Sequence, residues 1–462
     1  MAASACVSAV DGFDSSFFPL VLSALLTSAV GAFPMIFVTG KNEINMRESY
    51  VIVVGSWLLV CIFGMFPYML WGGEFALSSA WFESVSGFST TGSTALADVE
   101  ALPRGLLFWR SSTHFMGGVG VVMFALLILP SIGRAKSSLS SGEISSLARD
   151  NFRYRAHKIV QILLFVYIGM TLTQTILLNI AGLGWFDAVN TAFSTIATGG
   201  FSVKNASIGA YDNMWVNLIV TLFMLMGGLH FGLIFSTLTG KSKNIFNTEV
   251  SRFYLISVAV ATMAVAASLT VNKIYPDFWQ SVQHSLFQVV AYASTTGFAT
   301  ADANLWGSLP MIIMVFLSIQ CACAGSTSGG MKADRVWLAI KAVRAGIMRQ
   351  RHPNAVVRIK IDNVVQEDSA VSAVLLYIFI YLATVLAGTI IVSAAGVDAT
   401  TAFTGSIASM GNVGPGFGQV GSMETYAGMS PFVKVVFTML MLLGRLEIFG
   451  LIQLFTLKWW RR

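Results

Sequence analysis

The chain has 462 residues, of which 55% are hydrophobic and 11% charged, with a formal net charge of +6. A charged share well below the roughly one quarter of soluble domains excludes an ordinary soluble enzyme or binding module and points to a polytopic membrane protein. Nucleic acid is excluded as the reason for the positive charge, because Lys and Arg sit in short loops between apolar spans, as the cytoplasmic bias of membrane proteins predicts.

Taken in chain order, the amino terminus carries Asp11 and Asp14 but no Lys or Arg before its apolar run, so it does not read as a cleavable signal peptide. Phe17 to Val38 is the first span, and residues 1–40 are expected to be one leading transmembrane helix. Lys41 to Glu48 is a charged loop and Tyr50 to Trp71 the second span. Leu77 to Phe88 is apolar but, at about a dozen residues, too short for a bilayer that needs about 20, so it dips in and returns. Gly105 to Pro130 is the next full span. The order span, short helix, glycine motif, span then recurs three times. The expected fold is therefore an all-α membrane protein of four pseudo-symmetric span–pore-helix–span repeats around one central pore, preceded by one extra helix. The repeats are 41–133, 134–253, 254–360, with a broken second span, and 361–462.

The glycine motifs are Thr90-Thr91-Gly92, Thr198-Gly199-Gly200, Thr295-Thr296-Gly297 and, more degenerate, Asn412-Val413-Gly414. Their last glycines lie 108, 97 and 117 residues apart, far beyond the period of any solenoid. Each follows a short apolar piece and precedes a polar connection. Irregular backbone at membrane depth is tolerated only where it lines a water-filled path or is buried in protein, so these four stretches are expected to line a pore.

The second span of each repeat also carries a glycine near its middle, at Gly117, Gly227, Gly325 and Gly444, between 25 and 30 residues after the motif glycine. At Gly117-Gly118 and Gly227-Gly228 close helix packing through small residues is expected. The third site differs. Gly325-Ser326-Thr327-Ser328-Gly329-Gly330 followed by Met331-Lys332 makes a poor helix, since each interior glycine costs about 1 kcal/mol against alanine. The helix is expected to run to about Cys323 and break there, placing a polar loop in the water path below the glycine motifs. Arg445 lies about 14 residues into the last span, roughly 21 Å from its outer end. An arginine at that depth is functional by default, projecting into the pore at the level of the Gly325 loop or, alternatively, pairing with Glu447 or another acid.

Of the 28 Lys and Arg, 22 fall in segments 41–47, 134–158, 241–252, 332–360 and 458–462, all on one side in this topology. That side is the cytoplasm, which puts the glycine motifs and the amino terminus outside. Glu83 and Asp302, near the outer mouth, are candidates for concentrating cations.

Other chemistry fares worse. Gly325 to Lys332 has Met331 where a phosphate-binding loop needs Lys directly after its glycine, so it is not a nucleotide site. An intramembrane serine protease using Ser326 or Ser328 with His114, His230 or His284 leaves the four glycine motifs unexplained. Cys6, Cys61, Cys321 and Cys323 lack metal-ligand spacing with histidines and read as small buried thiols.

The four glycine motifs, the Gly325 to Lys332 loop and Gly444-Arg445-Leu446-Glu447 together resemble the potassium-translocating membrane subunit of Trk-type bacterial uptake systems, in the superfamily that also holds the Ktr and plant HKT proteins. The resemblance covers nearly all of residues 40–462. It implies potassium as the permeant ion, no further cofactor, no enzymatic activity and a multi-pass protein of the bacterial inner membrane. It also implies a homodimer with one pore per subunit and a cytosolic nucleotide-binding regulatory subunit. Members of that family carry two helices ahead of the first repeat, against the one read here.

Beside the resemblance, glycine lets the backbone adopt the φ values that aim carbonyls inward to replace an ion's hydration shell. The carbonyls are the expected ligands, and the Thr side chains supports. A gated, channel-like path for potassium is favoured; the alternative is a secondary transporter coupling potassium to protons or sodium, for which the spans offer few acids beyond Glu83 and Glu447.

Overall fold

The structure, a computed structural model, describes residues 1–37, 46–132, 156–240, 244–446 and 448. Much of the basic loop segments used above for orientation, and Glu447, lie outside the described residues.

Two helices open the chain: α1 (Ala2–Val10), which was not expected from sequence, and α2 (Phe17–Phe37). Asp14 organises the turn between them, accepting from Ser8 Oγ at 2.5 Å and from the Ser16 backbone N–H at 2.9 Å. The single leading helix is thus corrected to two, the first far too short to cross a bilayer.

Repeat 1 comprises α3 (Met46–Gly64), α4 (Phe66–Trp71), the pore helix α5 (Leu77–Phe88) and α6 (Arg104–Ile132). Repeat 2 has α7 (Ala156–Ile180), the pore helix α8 (Trp185–Ile196), and a second span in two pieces, α9 (Met214–Gly227) and α10 (Phe231–Leu238). Repeat 3 has α11 (Glu249–Val271), the pore helix α12 (Phe278–Ala293), α13 (Ser308–Gln320) and α14 (Ala333–Arg351). A two-residue hairpin of Lys360–Ile361 against Val364–Val365 follows, turning through Asp362 and Asn363, both at positive φ. Repeat 4 has α15 (Asp368–Ala394), the pore helix α16 (Ala399–Gly411) and α17 (Pro431–Arg445).

The ends of these helices follow from local sequence. Asn213 caps α9 by accepting from Trp215 N–H at 2.9 Å, Asp398 caps α16 by accepting from Thr401 N–H at 2.9 Å, and Ser430 caps α17 with Pro431 in its first turn.

Every second span packs on the pore helix of the following repeat: α6 on α8, α9 on α12, α13 on α16 and α17 on α5. The last contact closes the circle, so the four repeats surround one axis. Lipid-facing work falls to the other helices. Phe17–Phe37, Val51–Trp71, Val160–Ile180, Glu249–Val271 and Asp368–Ala394 are the described helices long and apolar enough to span alone. These are α2 and the first spans, whose outer faces expose residues such as Phe165, Leu172 and Phe379. The second spans carry the polar load, including buried Arg110, His114, Lys434 and Arg445.

Two expectations need correction here. The second span of repeat 2 is not continuous: close packing at Gly227-Gly228 holds, a Cβ at Gly228 falling 2.6 Å from Tyr254 Oη and one at Gly227 3.2 Å from Thr198 Cγ2, but α9 and α10 are bent by 107°. Two adjacent glycines weaken the helix, and His230 restarts it, its Nδ1 accepting from Gly232 N–H at 3.0 Å. In repeat 3 the break starts earlier than expected. Helix α13 ends at Gln320, because Cys321 turns to φ +55°, and irregular backbone runs from there to Lys332.

Candidate functional site

The four pore helices end in one shared way. In α5, the Thr91 N–H donates to Ser86 O at 2.9 Å and the Thr90 N–H to Gly87 O at 3.1 Å. The same nested pair closes α8 (Gly199 to Ser194 O, Thr198 to Thr195 O), α12 (Thr296 to Ala291 O, Thr295 to Tyr292 O) and α16 (Val413 to Ala408 O, Asn412 to Ser409 O). This is the Schellman closure, whose left-handed residue is usually glycine. Here it is Thr90, Thr198, Thr295 and Asn412, at φ of 53°, 53°, 61° and 53°. A β-branched residue there is an outlier costing of order 1–3 kcal/mol, a strain typical of functional sites. Sequence reasoning singled out these residues but not this conformation.

Two residues on, Gly92, Gly200, Gly297 and Gly414 also take positive φ, from 71° to 100°. A Cβ at Gly92 would overlap the carbonyl oxygen of Gly199, one at Gly200 that of Thr296, one at Gly297 that of Val413, and one at Gly414 would press on that of Thr91. Each glycine therefore rests against the middle carbonyl of the next repeat, and the fourth rests against the first. The structure brings all twelve motif residues into one ring.

Side chains brace the ring from behind. Thr91 Oγ1 and Ser89 Oγ share a hydrogen bond of 2.7 Å, and Thr296 Oγ1 and Ser294 Oγ one of 2.8 Å. Tyr426 Oη donates to Gly414 O at 3.0 Å and Tyr292 Oη to Gly416 O at 3.2 Å. His114 stacks on Phe201 with ring centroids 4.1 Å apart and fills the space a Cβ at Gly199 would need. Outside the ring opens a cavity of about 130 Å³, to which all four glycines contribute together with Arg110, Lys204 and Glu424.

Glu83 is not at the mouth. It is fully buried on α5, accepting from Arg110 Nε at 2.7 Å, from the Ala95 N–H at 2.9 Å and from Thr94 Oγ1. Arg110 in turn donates to Ser202 O at 3.1 Å and lies over the Phe201 ring at 4.1 Å. The pair ties the strand after the first motif to the strand after the second, and its charge is neutralised locally, so Glu83 does not concentrate cations. Removing one member leaves a buried charge alone, at a cost of about 3–5 kcal/mol. Glu83→Gln or Arg110→Met alone is thus expected to lower the thermal unfolding temperature of the purified protein markedly, and the double variant to recover much of the loss. A double variant no more stable than the singles would contradict this. Asp302, half-buried, caps a short 3-10 helix by accepting from Asn304 N–H at 2.9 Å.

Below the ring, Ser326, Thr327 and Ser328 are buried. Thr327 Oγ1 donates to Ile196 O at 2.8 Å, two residues before Thr198. Phe231 N–H donates to Gly325 O at 3.1 Å and Cys323 N–H to Gly228 O at 3.0 Å, so the breaks in repeats 2 and 3 hold each other. The other loop residues close the packing: Gly330 lies against Cys321 Sγ and Gly411, Met331 is buried, and Lys332 starts α14 at φ +73°. Ser326 Oγ donates to Cys323 O at 2.6 Å and His230 serves as a helix cap, which leaves neither in a nucleophile–base pair. Cys61, Cys321 and Cys323 are buried thiols, while Cys6 is exposed, contrary to expectation.

Arg445 reaches this loop. Its Nη1 donates to Thr327 O at 2.8 Å and its Nη2 to Gly117 O of α6 at 3.2 Å, and the residue is 7% exposed. Among the described residues its hydrogen-bond partners are these carbonyls and no acid; Glu447 lies outside the described residues.

A sequence model of the family described as TrkH, cation transport protein, matches residues 20–459. The Trk system potassium uptake protein TrkH of Salmonella typhimurium is 34% identical over 425 residues, covering 91% of this chain and 87% of that protein. TrkI of Halomonas elongata is 30% identical over 456 residues, covering 97% and 91%. The crystal structure of the potassium transporter TrkH from Vibrio parahaemolyticus superimposes with a TM-score of 0.90 at 28% identity, covering 99% of this chain and 96% of that one.

Proposed function

Because the chain belongs to the TrkH family of cation transport proteins, multi-pass proteins of the inner membrane and not enzymes, we propose that it takes up potassium through a channel-like path whose filter is the ring of twelve residues. The observation that carries this reading is the closed ring in which each motif glycine rests on the next repeat's carbonyl. Positive φ at both ends of each motif changes the hand of the backbone there, which aims carbonyls toward one side rather than alternately. Four such strands supply backbone oxygens in place of water, as in ion filters generally. One glycine per repeat supports fewer layers than the longer filter of potassium channels, and selectivity for potassium over sodium is correspondingly looser.

The gate in this reading is the 325–332 loop with Arg445. The loop is irregular backbone packed between the ring and the cytoplasmic side, and α14 leads straight from it. The relatives' shared name, a Trk system protein, supports a companion subunit. We take that companion to be a cytosolic nucleotide-binding regulator acting on a homodimer with one pore per subunit, which pulls α14 and with it the loop. Potassium is the cargo, and no resident cofactor enters the scheme.

The test is the reversal potential of the full chain in liposomes under opposed gradients of potassium, sodium and protons. A potential that tracks the potassium gradient, shifts modestly with sodium and ignores pH is expected. Movement of the reversal potential with the proton gradient would replace the channel by a coupled secondary transporter.

A further inference from the structure

The four left-handed positions of the ring are not equivalent. Three are threonine and the fourth is Asn412, whose amide reaches where a threonine hydroxyl cannot. Its Nδ2 donates to Thr91 Oγ1 of the first motif at 3.0 Å and to Met441 O of α17 at 2.9 Å. Its Oδ1 is buried without a hydrogen-bond partner. Two glycines from other elements close on the same amide. A Cβ at Gly329, in the loop below, would overlap the Asn412 side chain, and one at Gly444, beside Arg445, would come within 2.9 Å of its Oδ1. Loop, last span and two filter strands therefore meet on one side chain.

We propose that Asn412 is a positioning residue that couples the state of the gate loop to the selectivity of the filter. The inference rests on the filter and gate reading above and deepens it. Interiors are close-packed and transmit displacement from one group to the next. When the loop carries Gly329 away, the amide loses one of its two glycine walls and can swing about its bond to Met441 O. The bond to Thr91 Oγ1 then loosens, and Thr91 is the residue whose carbonyl faces Gly414. Opening is therefore accompanied by a softer, less selective junction between the first and fourth strands. Flux and selectivity become linked through one amide instead of being set independently.

The experiment is a cycle of full-chain variants in liposomes, read as flux and as the potassium-to-sodium permeability ratio from reversal potentials. Arg445→Ala, which frees Thr327 O and so releases the loop, is expected to lower the ratio about fivefold in the parent, the equivalent of one buried hydrogen bond of about 1 kcal/mol. Asn412→Ala is expected to lower the ratio by a similar factor on its own. In the Asn412→Ala background, Arg445→Ala raises flux and leaves the ratio where it was. Gly329→Ala, a change in the loop alone, is expected to lower the ratio by pushing the amide. Should Asn412→Ala not fold, Thr91→Val removes the hydroxyl partner and carries the same expectations. A parental ratio in Asn412→Ala, or an equal drop caused by Arg445→Ala in both backgrounds, overturns the coupling. Gly297→Ser separates the layers: if it lowers the ratio while Asn412→Ala does not, the inference falls and the filter stands; if neither does, the filter reading falls too.

Discussion

Serine at position 297 is expected to cut the potassium-to-sodium permeability ratio by about tenfold or more, with potassium flux reduced and the protein still folded. The backbone at Gly297 has φ +71°, a region that disfavours an L residue by roughly 1–2 kcal/mol, which alone is of the order of a tenfold change in an equilibrium. A Cβ there would also overlap Val413 O and come within 2.6 Å of Pro415 Cδ. Neither neighbour is the far end of a flexible side chain. The carbonyl must therefore turn or the strand must retreat, and either change alters the oxygen ring proposed as the filter. The pore helices and lipid-facing spans are untouched, so the protein is expected to fold and express, with a modest fall in thermal stability from the strain at this one residue. Reversal potentials under potassium and sodium gradients read the ratio, and a ratio equal to the parent's would dismiss the filter.

The outline of this site was legible because glycine leaves a mark that survives divergence between repeats. Four copies at spacings near one hundred residues fixed the number of sectors, and the short apolar piece at Leu77 to Phe88 had the length of the pore helix found there. What stayed hidden was set by contacts distant in sequence. Nothing in the residue type marks Thr90 or Thr198 as left-handed, since β-branched residues avoid that region; the Schellman closure of each pore helix, together with the ring, holds them there. The pairing of Glu83 with Arg110 joins two helices, and without it Glu83 looked like a mouth residue. Gly227-Gly228 reads by composition as a packing site, and it both packs closely and breaks the helix. The signal for the break was positional, because that pair falls at nearly the same distance after its motif glycine as the Gly325 loop does, and His230 stands ready as a cap. Asn412 was visible as a departure from threonine, but its partners at Thr91 and Met441 lie 321 and 29 positions away.

Alanine at position 445 is expected to raise basal potassium flux by roughly one to two orders of magnitude in the absence of any cytosolic partner. Two effects act in the same direction. On the proposed gate reading, a fixed positive charge about 5 Å from a single-file cation path, at an effective dielectric of 20, opposes the ion by about 3 kcal/mol before screening. Removing that barrier corresponds to about a hundredfold in rate at most, since each 1.36 kcal/mol is about tenfold. The second effect is mechanical: the guanidinium spans Thr327 O on the loop and Gly117 O on α6, so its loss unties the loop from a neighbouring span. Lysine at 445 separates the two. Its ammonium keeps the charge but lacks the planar fork that reaches two carbonyls on different elements. If charge dominates, Arg445→Lys conducts like the parent; if the tether dominates, it conducts nearly as well as Arg445→Ala. The expected result is an intermediate flux, closer to the parent. Were Arg445 instead only a strut, both variants would lose thermal stability and carry no extra current, because buried carbonyls left without their donor weaken the fold without opening a path. Flux and unfolding temperature measured on the same purified preparations decide between gate and strut.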